Sequence, residues 1–93
     1  MNEEDGLPKV LVVDDDLMNI NVFEALLSEL RQTCDTALGG KPAIDLVEKR
    51  LSLVHEGQAQ MYNLVLLDYS MPGKDGPEVC LEIRKLCRDN GVS

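Results

Sequence analysis

Three aspartates are placed where they could do chemistry. Asp14 and Asp15 directly follow the apolar run Val10-Leu11-Val12-Val13, and Asp68 directly follows Leu64-Val65-Leu66-Leu67. Carboxylates brought to one place repel one another, and a protein that unites them needs something to offset the charge. A hard divalent cation does so. Mg²⁺ takes oxygen ligands, commonly one or two carboxylates, and keeps waters and a phosphate oxygen in the remaining positions. If the fold unites these three acids, the chemistry they suit is a Mg²⁺ site that receives a phosphoryl group.

The elements that must position them can be read from hydrophobic patterning. Residues 9–13 read as a strand: after Lys9, Val10-Leu11-Val12-Val13 is a continuous apolar run rich in β-branched valine, as a strand buried on both faces requires. Residues 17–30 change to helical spacing. Ile20, Phe23, Leu27 and Leu30 recur along one face, Val22 and Leu26 widen the stripe, and Asp16 is placed to cap it. Residues 32–38 read as a second short strand, broken by Gly39-Gly40. Pro42 suits the first turn of a second helix, whose stripe is Ile44, Val47, Leu51 and Val54 and whose end lies near Gly57. Residues 63–68 repeat the first pattern, an apolar run closed by an acid. A turn-rich loop, Met71-Pro72-Gly73-Lys74-Asp75-Gly76, then leads to a third helix opened by Pro77. That helix carries Val79, Cys80, Ile83, Leu86 and Cys87 on one face, with Gly91 as its C-cap.

The order βαβαβα predicts an α/β domain with a doubly wound parallel sheet. Parallel crossovers are right-handed. A strand order of 2-1-3 therefore places the first helix on one face and the other two on the opposite face. It also puts a topological switch point between strands one and three, where such sheets bind ligands beyond the strands' carboxyl ends. Asp14, Asp15 and Asp68 all lie there.

Composition narrows the function classes. The chain has 93 residues, 17 acidic and 9 basic, for a net charge of −8. An acidic chain suits neither nucleic acid nor an anionic membrane surface, both of which demand Lys and Arg. An apolar content of 44% argues against disorder. No apolar run approaches the ~20 residues of a membrane helix. The acidic start Met1-Asn2-Glu3-Glu4-Asp5 is unlike a signal peptide. The expectation is a cytoplasmic, intracellular protein. Residues 1–8 read as a flexible acidic tail, and residues 9–93 as the domain. Cys34, Cys80 and Cys87 are odd in number and lack metal spacing, so they read as small buried thiols. His55 reads as a solvated residue late in the second helix.

The segment Val10-Leu11-Val12-Val13-Asp14-Asp15-Asp16 resembles the acidic-pair strand of response-regulator receiver domains, and the segment Leu64-Val65-Leu66-Leu67-Asp68-Tyr69-Ser70-Met71-Pro72-Gly73-Lys74-Asp75-Gly76 is similar to their phosphoacceptor strand and loop. Asp35-Thr36-Ala37-Leu38-Gly39-Gly40 and Ala43-Ile44 resemble the second strand and helix. The resemblance covers roughly residues 9–91 and implies a flavodoxin-like fold. It makes Asp68 the phosphoacceptor, and Asp14 and Asp15 the acids that hold Mg²⁺ with it. Ser70 would give a backbone carbonyl to the metal, and Pro72, Asp75 and Gly76 would shape the loop, Gly76 by its conformational freedom. The implied partner is a histidine kinase or a histidine phosphotransfer protein. The long stretch 48–60 resembles receivers of hybrid histidine kinases.

A receiver resembling this chain has two further strands and two further helices, with a Thr or Ser after the fourth strand and a Lys after the fifth. Both would lie beyond Ser93, so the expectation is a receiver domain incomplete at its C-terminus, comprising the first three β-α units. Neither Lys41 nor Lys74 has the context to replace that Lys. The third strand would then expose an apolar edge, favouring self-association or instability. Two alternatives remain open. One is a pseudo-receiver that binds proteins without phosphorylation. The other is an aspartyl-phosphate phosphatase, for which Leu17 stands where a Thr is wanted and the Asp68 loop goes unexplained.

Overall fold

The computed structural model describes residues 6–68, 71 and 75–92. Strands and helices alternate as β1 (Val10–Val13), α1 (Leu17–Glu29), β2 (Cys34–Ala37), α2 (Gly40–His55), β3 (Leu64–Leu67) and α3 (Gly76–Asp89). The strands form one parallel sheet in the order β2-β1-β3. Val13 stands in register with Ala37 on one side and Leu67 on the other. The expected order and parallel pairing are therefore present.

β1 is central because all four of its residues are apolar and buried. Its alternation divides the core between two faces. Leu11 and Val13 pack with Ala43, Val47 and Leu51 of α2 and with Val79 and Ile83 of α3. Val10 and Val12 pack with Ile20 of α1, joined by the partly buried Phe23, Leu27 and Leu66. One helix on one face and two on the other is the arrangement that right-handed crossovers produce. Each such side chain, fully buried, stabilises the fold by about 1.5–3 kcal/mol.

The α1 stripe is wider than its contact with the sheet. Val22, Leu26 and Leu30, expected to widen or extend the buried face, are exposed, as are Leu17 and Met18. Nothing among the described residues covers that side of the helix. β3 is the sheet edge and is only half-buried, with Leu64 exposed. β2 is shorter than residues 32–38, because the chain is still turning at Arg31, where φ is 61°, and Leu38 is exposed.

Helix ends follow local chemistry. Asp16 accepts a hydrogen bond from the Met18 N–H (2.9 Å), the expected cap of α1. α2 starts at Gly40, two residues before Pro42, which occupies its first turn. α3 starts one residue before Pro77. Asp75, read from sequence as a loop-shaping residue, is its N-cap and forms a reciprocal capping box with Glu78. Gly76 is the buried first residue of that helix, not a residue at positive φ. The expected conformational freedom is used instead at Gly91, where φ is 76° just past the actual C-cap, Asn90. His55 is exposed, and its Nε2 meets the Asn90 side-chain oxygen at 3.0 Å, linking the ends of α2 and α3.

One buried charge ties together the sheet's other end. Arg50, only 4% exposed, donates to the Pro8 carbonyl (2.7 Å), the Gln60 carbonyl (3.1 Å) and the Asp35 carboxylate (3.3 Å). Its guanidinium lies 4.2 Å from the Tyr62 ring centroid, and the Tyr62 hydroxyl donates to Asp35. Pro8, Asp35 and Tyr62 lead into or begin β1, β2 and β3 respectively. Arg50 thus fastens the amino ends of all three strands, leaving the carboxyl ends to function.

Candidate functional site

The sheet ladder runs one step beyond the strands and fixes the acids. The Asp14 N–H donates to the Ala37 carbonyl (3.1 Å), and the Asp68 N–H donates to the Val13 carbonyl (2.9 Å). Because Val13 and Leu67 are in register, the residues that follow them emerge side by side. Asp14 is 6% exposed and held at both oxygens. Oδ1 accepts from the Asp16 N–H (2.9 Å), and Oδ2 accepts from the Asn19 side-chain amide (3.2 Å). Asp15 is exposed and Asp68 half-buried.

One carboxylate oxygen from each of Asp14, Asp15 and Asp68 lies within 4.8 Å of the others. The structure therefore brings together the three acids singled out from sequence. The donor set is all oxygen and all anionic, which fits a hard divalent cation and would not favour a soft metal. A cavity of about 430 Å³ opens beside them between α1 and β3. Asp14, Asn19 and Asp68 line its polar side and Val12, Phe23 and Leu66 its apolar side.

Ser70 and Pro72, with Tyr69 and Lys74, lie outside the described residues. Met71, between them, is buried in the core cluster it shares with residues of α2 and α3. Asp75 and Gly76 are located at the start of α3, Asp75 as its N-cap and Gly76 as its first residue. Lys41 pairs with Asp45 (3.5 Å) on the exposed side of α2. The cysteines are free and half-buried, somewhat less enclosed than expected. Burial pushes the Cys34 and Cys87 thiols up, and Glu24 and Asp35 add to this at Cys34, so neither is set up as a nucleophile. Two residues escaped the sequence reading. Asn19 has one usable signal, its position one helical turn past the acids on the face shared with Phe23. Arg50 had none, since a basic residue on a helix reads as solvated.

No described helix is long and apolar enough to cross a membrane. Residues 10–92 match the family model of the response regulator receiver domain. The chain is 32% identical over 84 residues to hybrid signal transduction histidine kinase B of Dictyostelium discoideum, covering 90% of this chain and 4% of that protein. It is 32% identical over 83 residues to the response regulator SSK1 of Cochliobolus heterostrophus, covering 89% and 9%. In three dimensions it is similar to a mutant form of the receiver domain of the histidine kinase CKI1 from Arabidopsis thaliana. The TM-score there is 0.83 and the identity 30%, over 90% of this chain and 59% of that one. The chain thus spans under a tenth of the length of those curated relatives. Motif, strand order and family match agree over residues 10–92, and the chain belongs to the response-regulator receiver domains of two-component signalling systems.

Proposed function

We propose that residues 9–93 act as a phosphoacceptor module in which Asp68 receives a phosphoryl group from a phosphohistidine on a histidine kinase or histidine phosphotransfer protein. The observation that carries this reading is the convergence of Asp14, Asp15 and Asp68 at the switch point of the sheet. Receiver domains are generally signalling modules rather than enzymes and generally bind Mg²⁺ at an acidic pocket. Here Asp14, Asp15 and Asp68 would hold the ion, with a backbone carbonyl from Ser70 as a further ligand. When bound, the ion supplies charge neutralisation for the transferring group.

The chain's own residues do the rest. An Asp68 oxygen attacks phosphorus in line with the leaving nitrogen. The new P–O bond forms as the P–N bond breaks, and the imidazole departs with the electron pair and takes up a proton. The product is a mixed anhydride on Asp68. Asn19 and the Asp16 N–H keep Asp14 oriented, and the β1–β3 ladder keeps Asp68 beside it. The setting this chemistry suits is the cytoplasm.

Incubation with a small phosphodonor and Mg²⁺ separates this reading from its alternatives. A hydroxylamine-labile acyl phosphate, absent in Asp68→Asn, is the expected result. Continuous turnover of the donor would favour the phosphatase, and failure to bind Mg²⁺ would favour the pseudo-receiver.

A further inference from the structure

Asn90-Gly91 is the only Asn-Gly pair in the chain, and it closes α3. Asparagine is a thermolabile side chain. Its amide carbon is open to attack by the nitrogen of the following peptide bond, and a following glycine leaves that nitrogen unshielded because it has no Cβ. Here the fold calls for the pair, since the chain leaves the helix at Gly91 with φ 76°, a conformation that favours glycine. Three hydrogen bonds keep the two groups apart. The Asn90 amide nitrogen donates to the Leu86 carbonyl (2.8 Å), one turn back along the helix and away from Gly91. That fixes the orientation of the amide and leaves its oxygen to accept, so His55 Nε2 is the donor in their 3.0 Å contact. The Gly91 N–H donates to the Arg88 carbonyl (3.1 Å).

We propose that Asn90 is a self-modification site, held dormant by the latch that His55 and Leu86 make on its side chain. When the latch opens, the Gly91 nitrogen loses its proton and attacks Asn90 Cγ. The new C–N bond closes a cyclic imide, and the side-chain nitrogen takes up a proton and leaves as ammonia. Water then adds to one of the two imide carbonyls and breaks its bond to the ring nitrogen, leaving aspartate or isoaspartate at position 90. Either product loses the donor to Leu86 and puts a negative charge at the carboxyl end of α3, where the helix dipole disfavours it. Isoaspartate also lengthens the backbone by a methylene. That shifts the Val92 N–H from the Cys87 carbonyl (2.7 Å) and loosens Val92, which is partly buried against the α2–α3 core. Both helices run back from the carboxyl ends of the strands, so the latch lies at the sheet's amino pole, away from Asp14, Asp15 and Asp68.

Peptide mapping for aspartate and isoaspartate at position 90, during incubation of the full chain at mildly alkaline pH, tests it. His55 is exposed, so His55→Ala should keep the wild-type circular dichroism. It removes one of the hydrogen bonds that opening must break, and Asn90 should convert roughly five-fold faster than in the wild type. His55→Gln places an amide donor at a similar reach and should stay close to the wild-type rate. The chain unfolded in urea loses the whole latch and should convert on the order of tenfold faster or more. A wild type that converts as fast folded as unfolded, a His55→Ala rate equal to or below that of the wild type, a His55→Gln rate as high as that of His55→Ala, or an Asn90 that survives in urea would each overturn the proposal.

Discussion

Replacing Asp15 by Asn should move stability in opposite directions with and without Mg²⁺. Two unit charges within 4.8 Å of each other repel by about 1 kcal/mol in water and by about 3–4 kcal/mol at an effective dielectric of 20. Asp15 is exposed, so the watery end of that range applies, and it has two neighbours, Asp14 and Asp68. Its side chain makes no hydrogen bond among the described residues that the substitution would break. The metal-free variant should therefore gain on the order of 1–2 kcal/mol at low salt. For a domain of this size that raises Tm by roughly 5–15 °C. The wild type should gain about 2.7 kcal/mol, or roughly 10–20 °C, when Mg²⁺ stands at a hundred times its dissociation constant. The variant should lose most of that gain. The assay is thermal unfolding followed by circular dichroism, with and without Mg²⁺ and with Na⁺ matched for ionic strength. A variant that melts below the metal-free wild type, or that keeps the full Mg²⁺ shift, would refute the picture of three mutually repelling metal ligands.

Arg50→Ala should cost about 3 kcal/mol or more, because it orphans two carbonyls and leaves Asp35 without its cation. Urea unfolding reads this loss, while Mg²⁺ affinity of the folded fraction should not change, since Arg50 lies at the opposite end of the sheet. A loss below about 1 kcal/mol would show that the clasp is not needed. Tyr62→Phe should cost about 1 kcal/mol at neutral pH through its hydrogen bond to Asp35. Burial first, and then that hydrogen bond, hold the Tyr62 phenol protonated well above its ordinary value of 10.0. Folding thus favours the neutral phenol, and its contribution is complete below that value and lost as pH rises through the higher, folded-state value. Denaturant midpoints measured above pH 10 should therefore fall more steeply for the wild type than for Tyr62→Phe.

The parts of this molecule that were legible in its sequence are those where patterning and function coincide. Val10–Val13 could only be an interior strand, and a run of the same kind ending at Asp68 had to lie beside it for the acids to meet. Handedness then assigned the helices to faces without further information. The misreadings have physical causes. The α1 stripe is apolar around more of its circumference than the sheet covers, and periodicity alone does not say which apolar residues find a partner. Asp75 and Gly76 were read through the loop they close, whereas the i, i+3 relation of Asp75 and Glu78 marked a helix start. Arg50 was illegible because its role depends on three segments, around Pro8, Asp35 and Gln60, that converge only in the folded chain.

The central claim is that Asp68 is the carboxylate that becomes phosphorylated, with Asp14 and Asp15 holding the required cation. Peptide mapping after borohydride trapping of the acyl phosphate tests it most directly. The protein would be treated with a small phosphodonor and Mg²⁺, reduced, digested and analysed by mass spectrometry. The account predicts one modified residue, Asp68, with labelling abolished by chelation of the metal. Modification spread over several surface carboxylates, or labelling that persists unchanged in Asp68→Asn, would contradict it.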